Sequence, residues 1–114
     1  MQIERADVGS VTVLRLTGDI NENAIDDLRT VFLECLQTKR VKLVMNLSEV
    51  RFVSYMGLGV IVERLRAVRA HHGDIKLVGM NTYMDRLFRM VGVTGLFDTF
   101  DTEGQALGVF KEAA

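Results

Sequence analysis

Two spacings of apolar residues alternate along the chain. Ser10–Thr17 (SVTVLRLT) is rich in β-branched and apolar residues and predicts a strand. Gln2–Arg5 predicts a short edge strand, and Asp7-Val8-Gly9 reads as the turn that makes the two a hairpin. Gly18 and Asn21 then break the pattern. From Asn23 the spacing turns helical, with Ile25, Leu28, Phe32 and Cys35 or Leu36 on one face, and the helix should stop near Thr38. Val41–Leu47 (VKLVMNL) is an almost continuous apolar run, as in a central strand covered on both faces. A second helix is expected from near Ser54 to near Gly73. Leu58, Ile61, Leu65 and Val68 face its core side, and Glu63, Arg64, Arg66 and Arg69 its polar side. Ile75–Gly79 reads as another buried strand. Met84, Leu87, Phe88 and Val91 fit the i, i+3, i+4, i+7 template of a helix over Thr82–Val91, which Gly92 and Gly95 end. Leu96–Phe100 predicts a short last strand. Thr102 with Gln105 three residues on matches a capping box, opening a helix to about Lys111 with Leu107 and Phe110 inward.

The element order is therefore β-β-α-β-α-β-α-β-α. Strands alternating with helices imply parallel pairing through right-handed crossovers, and the opening hairpin makes the sheet mixed. A chain of 114 residues is expected to form a single domain over its whole length. Apolar residues make up 48% and charged residues 25%, which excludes a disordered or collagen-like chain. Fourteen basic against fifteen acidic residues give a net charge of −1, so general nucleic-acid binding is not expected. Cys35, the one cysteine, has no internal disulfide partner, which fits a reducing compartment. The opening MQIERADVGS has no apolar signal core, and no run approaches the roughly 18 apolar residues of a membrane span. These features predict a cytoplasmic domain that does not insert into membranes.

The segment Val44–Gly59 carries the most information. A buried strand passes through a short loop into a helix that opens with glycines. Functional loops of open α/β folds lie at the carboxyl ends of strands, and a helix start there offers free N–H groups and partial positive charge. This stretch resembles the signature of STAS domains, in particular bacterial anti-sigma factor antagonists. Their pattern runs hydrophobic-Asp-Leu-Ser-x-Val-x-Phe-hydrophobic-Asp-Ser-Ser-Gly-Leu-Gly, and Leu47, Ser48, Val50, Phe52, Gly57, Leu58 and Gly59 match it. Leu16-Thr17-Gly18-Asp19-Ile20-Asn21 is similar to the family's Leu-x-Gly-Glu-Leu-Asp. Met90–Phe97 is similar to the stretch after the family's third helix. The resemblance implies an α/β sandwich of STAS type, a four- or five-strand mixed sheet with helices mainly on one face. It also implies a binding module rather than an enzyme. In such antagonists the serine before the glycine is phosphorylated by an anti-sigma kinase, the unphosphorylated form binds that kinase, and a PP2C-type phosphatase removes the mark.

The sequence departs from that pattern at the switch itself. The family's Asp-Ser-Ser is Ser54-Tyr55-Met56 here, so the phospho-acceptor position is Met56, which has no hydroxyl. The last acidic residue of the first motif is Asn21. The implied partner surface is Asp19, Asn21 and Ser54, Tyr55, Met56, Gly57, Leu58 and Gly59. Ser54 reads first as the helix N-cap and second as a displaced phosphosite. Tyr55 and Met56 read equally as exposed loop residues and as partner contacts.

The remaining candidates have plainer readings. His71 and His72 are adjacent, point about 100° apart and suit a helix end better than a metal. Cys35 on an apolar face reads as an inert core residue. Gly57-Leu58-Gly59 lacks the further glycine of a dinucleotide fingerprint. Gly92-Val93-Thr94-Gly95 has the spacing of an RNA-binding GXXG loop, but without a basic surplus it reads as a helix stop. Arg64, Arg66 and Arg69 read as a solvated basic stripe edged by Glu63, with contact to the Met56 loop as the alternative. No catalytic constellation and no cofactor motif is present, so neither is expected. The expected partner is an ATPase-type anti-sigma factor/serine kinase. An accessory subunit of a lipid-transporting ABC system, which needs no phosphorylation, is the alternative. Nucleotide binding has no phosphate-cradling motif behind it.

Overall fold

A computed structural model describes residues 1–113, with side chains as far as Lys111. The order is β1 (Gln2–Val8), β2 (Val11–Thr17), a 3-10 turn (Glu22–Ala24), α1 (Ile25–Gln37), β3 (Lys42–Glu49), α2 (Tyr55–Ala70), β4 (Asp74–Val78), α3 (Thr82–Val91), a second 3-10 turn (Thr94–Leu96), β5 (Thr99–Phe100) and α4 (Glu103–Ala113). The strands form one sheet in the order β1-β2-β3-β4-β5. β1 runs antiparallel to β2 and the other pairs are parallel, so the sheet is five-stranded and mixed.

The apolar runs of the central strands follow from burial on both faces. Leu14, Leu16, Leu43, Met45, Leu47, Ile75 and Leu77 face one way, against Leu28 and Phe32 of α1, Ile61 and Leu65 of α2, and Met84 and Phe88 of α3. Val11, Val13, Val44 and Val78 face the other way, against Ala106 and Phe110 of α4. Three helices thus cover one face and a single helix the other. Burying both faces of a strand is what demands a continuous apolar run rather than an alternating one.

α4 is held at its start by polar contacts. The capping box forms: Gln105 N–H donates to Thr102 Oγ1 at 3.2 Å, and Thr102 and Asp101 N–H donate to Gln105 Oε1 at 3.3 and 3.0 Å. Glu103 beside it accepts two hydrogen bonds from Arg15 of β2, at 2.8 and 2.9 Å, and one from Asn46 Nδ2 of β3 at 2.6 Å. The Arg15 guanidinium foremost, helped by the Asn46 amide and opposed by desolvation, holds the Glu103 carboxyl below the usual glutamate range.

Several boundaries and placements differ from the pattern-based expectation. β1 extends to Val8, and the turn is Gly9–Ser10, because Val8 pairs with Val11. Asp7 is not a turn residue: it sits opposite Thr12 and accepts its hydroxyl at 2.9 Å. Gly9 takes the turn at φ +59°, where glycine carries no strain. The last strand shrinks to Thr99–Phe100 because Phe97 turns inward and meets Phe88 with ring centroids 5.8 Å apart. Val91 is exposed rather than core, since α3 ends beside it at Gly92, a left-handed cap at φ +81°. Of the α2 arginines expected on a solvated face, Arg66 and Arg69 are exposed, but the Arg64 side chain is only 20% exposed and bonds Glu63. Arg69 bonds Asp74 and the Leu96 carbonyl at the end of α2 remote from Met56.

The two glycines of Gly57-Leu58-Gly59 do different things. A Cβ on Gly57 would lie 2.7 Å from both the carbonyl oxygen and Cγ2 of Ile20, so the first turn of α2 docks only because that atom is missing. Gly59 is exposed with open space around its Cβ position. Gly57→Ala is expected to destabilise the fold by about 1–3 kcal/mol through overpacking. Gly59→Ala should stabilise it by roughly 0.5–1 kcal/mol through helix propensity. Urea denaturation of the two variants checks these opposite signs. For Glu103, a folded carboxyl pKa below its ordinary value of 4.5 gives stability that is complete above that value and lost as pH falls through the lowered one. The urea midpoint of Glu103→Gln should therefore trail the parent chain at about pH 7 and converge on it toward about pH 3. A gap that stays constant across that range contradicts the linkage.

Candidate functional site

Beyond β3 the chain turns back, with Val50 N–H donating to the Leu47 carbonyl at 3.0 Å. The next residues meet the segment that follows β2. Ile20 N–H donates to the Phe52 carbonyl at 2.8 Å, and Ser54 N–H donates to the Ile20 carbonyl at 2.8 Å. This is a one-residue parallel bridge between Ile20 and Val53, and both side chains are fully buried. The first and second sequence motifs are thus joined through their backbones. Gly18 N–H adds a bond to the Glu49 carbonyl at 3.3 Å.

The bridge sets the start of α2. Ser54 is the N-cap: its backbone is extended and its Oγ accepts the Gly57 N–H at 2.9 Å. Asn21 is also a cap, its Oδ1 accepting the Asn23 N–H at 3.0 Å to start the 3-10 turn. Asp19 is exposed beside it. Tyr55 and Met56 then point outward, 68% and 57% exposed. Gly59, on the next turn of the same face, is exposed as well. Gly57 is buried against Ile20, and Leu58 is 2% exposed in the core. Of the eight residues implied as a partner surface, Leu58 therefore offers no side chain, and Gly57 acts by permitting close packing. The first turn of α2 holds no acidic residue, so Ser54 is the side chain capping its positive end.

Sequence reasoning missed the second wall, which α3 supplies. Tyr83 stacks on Phe52 with ring centroids 6.0 Å apart and planes 17° apart, and its hydroxyl donates to the Val53 carbonyl at 3.1 Å. Asn81 caps α3 by accepting the Met84 N–H at 2.8 Å. Between the two walls lies a groove of 570 Å³ lined chiefly by Phe52, Tyr55, Met56, Tyr83, Arg86 and Met90. Met90 is 76% exposed and Phe52 and Tyr83 are each 43% exposed. Glu22 and Arg86 are the charged residues of the lining. A signal for this wall exists in the sequence: Tyr83 and Met90 flank the core residue Leu87 at i, i+4 and i+7, which widens the apolar face of α3 beyond its core line.

The other candidates lie elsewhere. His71 and His72 are exposed at the far end of α2, His71 as its C-cap and His72 in the left-handed region at φ +63°. Among the described residues there is no group of three or more His, Cys, Asp or Glu able to hold a metal. Cys35 is fully buried, and desolvation pushes its thiol pKa up, away from a reactive thiolate. Gly92 and Gly95 belong to the α3 cap and the following turn. No described helix is long and apolar enough to cross a membrane.

This geometry has well-defined relatives. The family model described as the STAS domain matches residues 2–106. The anti-sigma F factor antagonist of Paenibacillus polymyxa is 28% identical over 108 residues, covering 94% of this chain and 92% of that protein. The anti-sigma-B factor antagonist of Listeria monocytogenes is 29% identical over 112 residues, covering 95% of this chain and 94% of that protein. The solved structure of the unphosphorylated anti-sigma factor antagonist SpoIIAA, a Bacillus protein, superposes with a TM-score of 0.78 at 19% identity, over 96% of this chain and 98% of that one. The five-strand mixed sheet and the family match agree: the chain belongs to the STAS domain family.

Proposed function

We propose that this chain is a non-enzymatic partner-switching regulator that binds an anti-sigma factor of the ATPase kinase type. The observation that carries the proposal is the continuous apolar groove between the start of α2 and α3. It lies at the family motif, on a rigid frame, and it exposes Tyr55, Met56, Tyr83 and Met90 together. Exposed aromatic and methionine side chains are enriched at protein interfaces. The names of the relatives, antagonists of anti-sigma F and anti-sigma-B factors, supply the class of partner.

Met56 fixes how such a partner would be controlled. A thioether accepts no phosphate, so a kinase cannot place about −1.5 to −2 charges at that position. A PP2C-type phosphatase would find no substrate there. Ser54 is a poor substitute, because its hydroxyl caps α2 and losing a cap costs ~1 kcal/mol. Binding should therefore be constitutive with respect to ATP. Asp19 and Asn21, on either side of the bridged Ile20, are proposed as rim contacts, and Gly59 as a point of close backbone approach.

Capture from the native host's cytoplasm tests this, with the chain and its Met56→Glu variant as parallel baits. The chain should retain an anti-sigma factor with and without ATP. Met56→Glu should weaken that capture tenfold or more, since an unpaired carboxylate must be desolvated in an apolar contact. Equal capture by both baits removes the groove as the interface. Capture of a transporter ATPase by both replaces the regulator with an assembly subunit of an ABC system.

A further inference from the structure

The six methionines of the chain are not spread evenly between core and surface. Met45 and Met84 are fully buried, and Met1 and Met80 are half-buried. Met56 and Met90, at 57% and 76% exposed, are the two that stand in solvent. They come from different helices and line the same groove, one from each wall. Met56 also occupies the position at which the family signature has its phospho-acceptor.

We propose that Met56 and Met90 form an oxidation-sensitive pair, and that sulfoxidation of the groove by a peroxide replaces phosphorylation as the signal that releases the partner. The proposal rests on the groove being the partner surface. The chemistry is an oxygen-atom transfer. A lone pair on the thioether sulfur attacks the terminal oxygen of the peroxide, an S–O bond forms and the O–O bond breaks. Sulfur gives up two electrons, and the departing hydroxide or alkoxide collects the peroxide proton and leaves as water or alcohol. The product is a polar, chiral sulfoxide in place of a flexible apolar side chain. Two such oxygens in a mostly apolar groove must be desolvated whenever a partner covers them, and Arg86 is the charged side chain of the lining able to donate to them. Methionine sulfoxide reductases reverse the change, so the mark is resettable, as phosphate is. Met45 and Met84 are protected by burial, which lets the signal act on the surface while sparing the core.

The test has two arms. In the first, the intact chain is titrated with hydrogen peroxide and digested for peptide mass spectrometry. Met56 and Met90 should oxidise at least about tenfold faster than Met45 and Met84, because peroxide must reach the sulfur. Equal rates at all four overturn the proposal. In the second, affinity for the captured anti-sigma factor is measured before and after oxidation, with circular dichroism confirming an unchanged fold. Oxidation should weaken binding about tenfold, or ~1.4 kcal/mol, and sulfoxide reductase should restore it. The Met56→Leu/Met90→Leu chain, whatever its own starting affinity, should lose nothing on peroxide treatment. Equal binding before and after oxidation, or the same loss in the double variant, overturns the switch alone. A reduced chain that binds no anti-sigma factor defeats the functional proposal and the switch with it.

Discussion

Two backbone hydrogen bonds on Ile20 hold the groove end of this molecule together. The carboxyl end of a parallel sheet is where chains leave the ladder and backbone groups lose their partners. Ile20 and Val53 are fully buried there, and a buried N–H or C=O left unpaired costs about 1–3 kcal/mol. The one-residue bridge, Ile20 N–H to Phe52 and Ser54 N–H to Ile20, removes that penalty. It also dictates where α2 begins. Ser54, placed by the bridge, caps the helix, and Gly57 lets the helix approach Ile20 closely enough to seal it.

What the frame displays is then a matter of helical geometry. With Ser54 as N-cap, Leu58 turns into the core and Tyr55 and Met56 turn out. Tyr83 joins α3 to the same loop twice, through the Phe52 ring and the Val53 carbonyl, so both groove walls refer to one five-residue segment. A preorganised surface spends less of its binding energy on ordering itself. In this frame a residue at position 56 points outward from the first turn of α2, so a small chemical change there alters the groove without disturbing the core.

Much of this was legible in the sequence, for identifiable reasons. The run VKLVMNL marked β3 because burial on both faces demands continuous apolar character, and Thr102 with Gln105 marked the cap of α4 because that pairing has a local mechanism. The motif around Met56 marked the loop that forms one wall of the groove. The α3 wall was hidden because Tyr83 and Met90 sit on a helix whose core line, Met84, Leu87 and Phe88, already satisfied the amphipathic pattern. Asp7 misled because it resembles a turn former until its cross-strand partner Thr12 is known. Arg64 misled because long side chains can lie down on a helix that their charge suggests they should leave. Contacts between residues distant in sequence, such as Arg15 with Glu103 or Ile20 with Val53, leave no local signature to read.

Native-state hydrogen exchange of the Ile20 and Ser54 amides tests the central claim most directly. If the bridge is the rigid frame of the groove, both amides should exchange through the same cooperative opening as Val44 and Met45 in the middle of β3. Exchange of either amide at the rate of an exposed turn such as Gly95 would show a loose loop. It would contradict the account of a preformed partner surface.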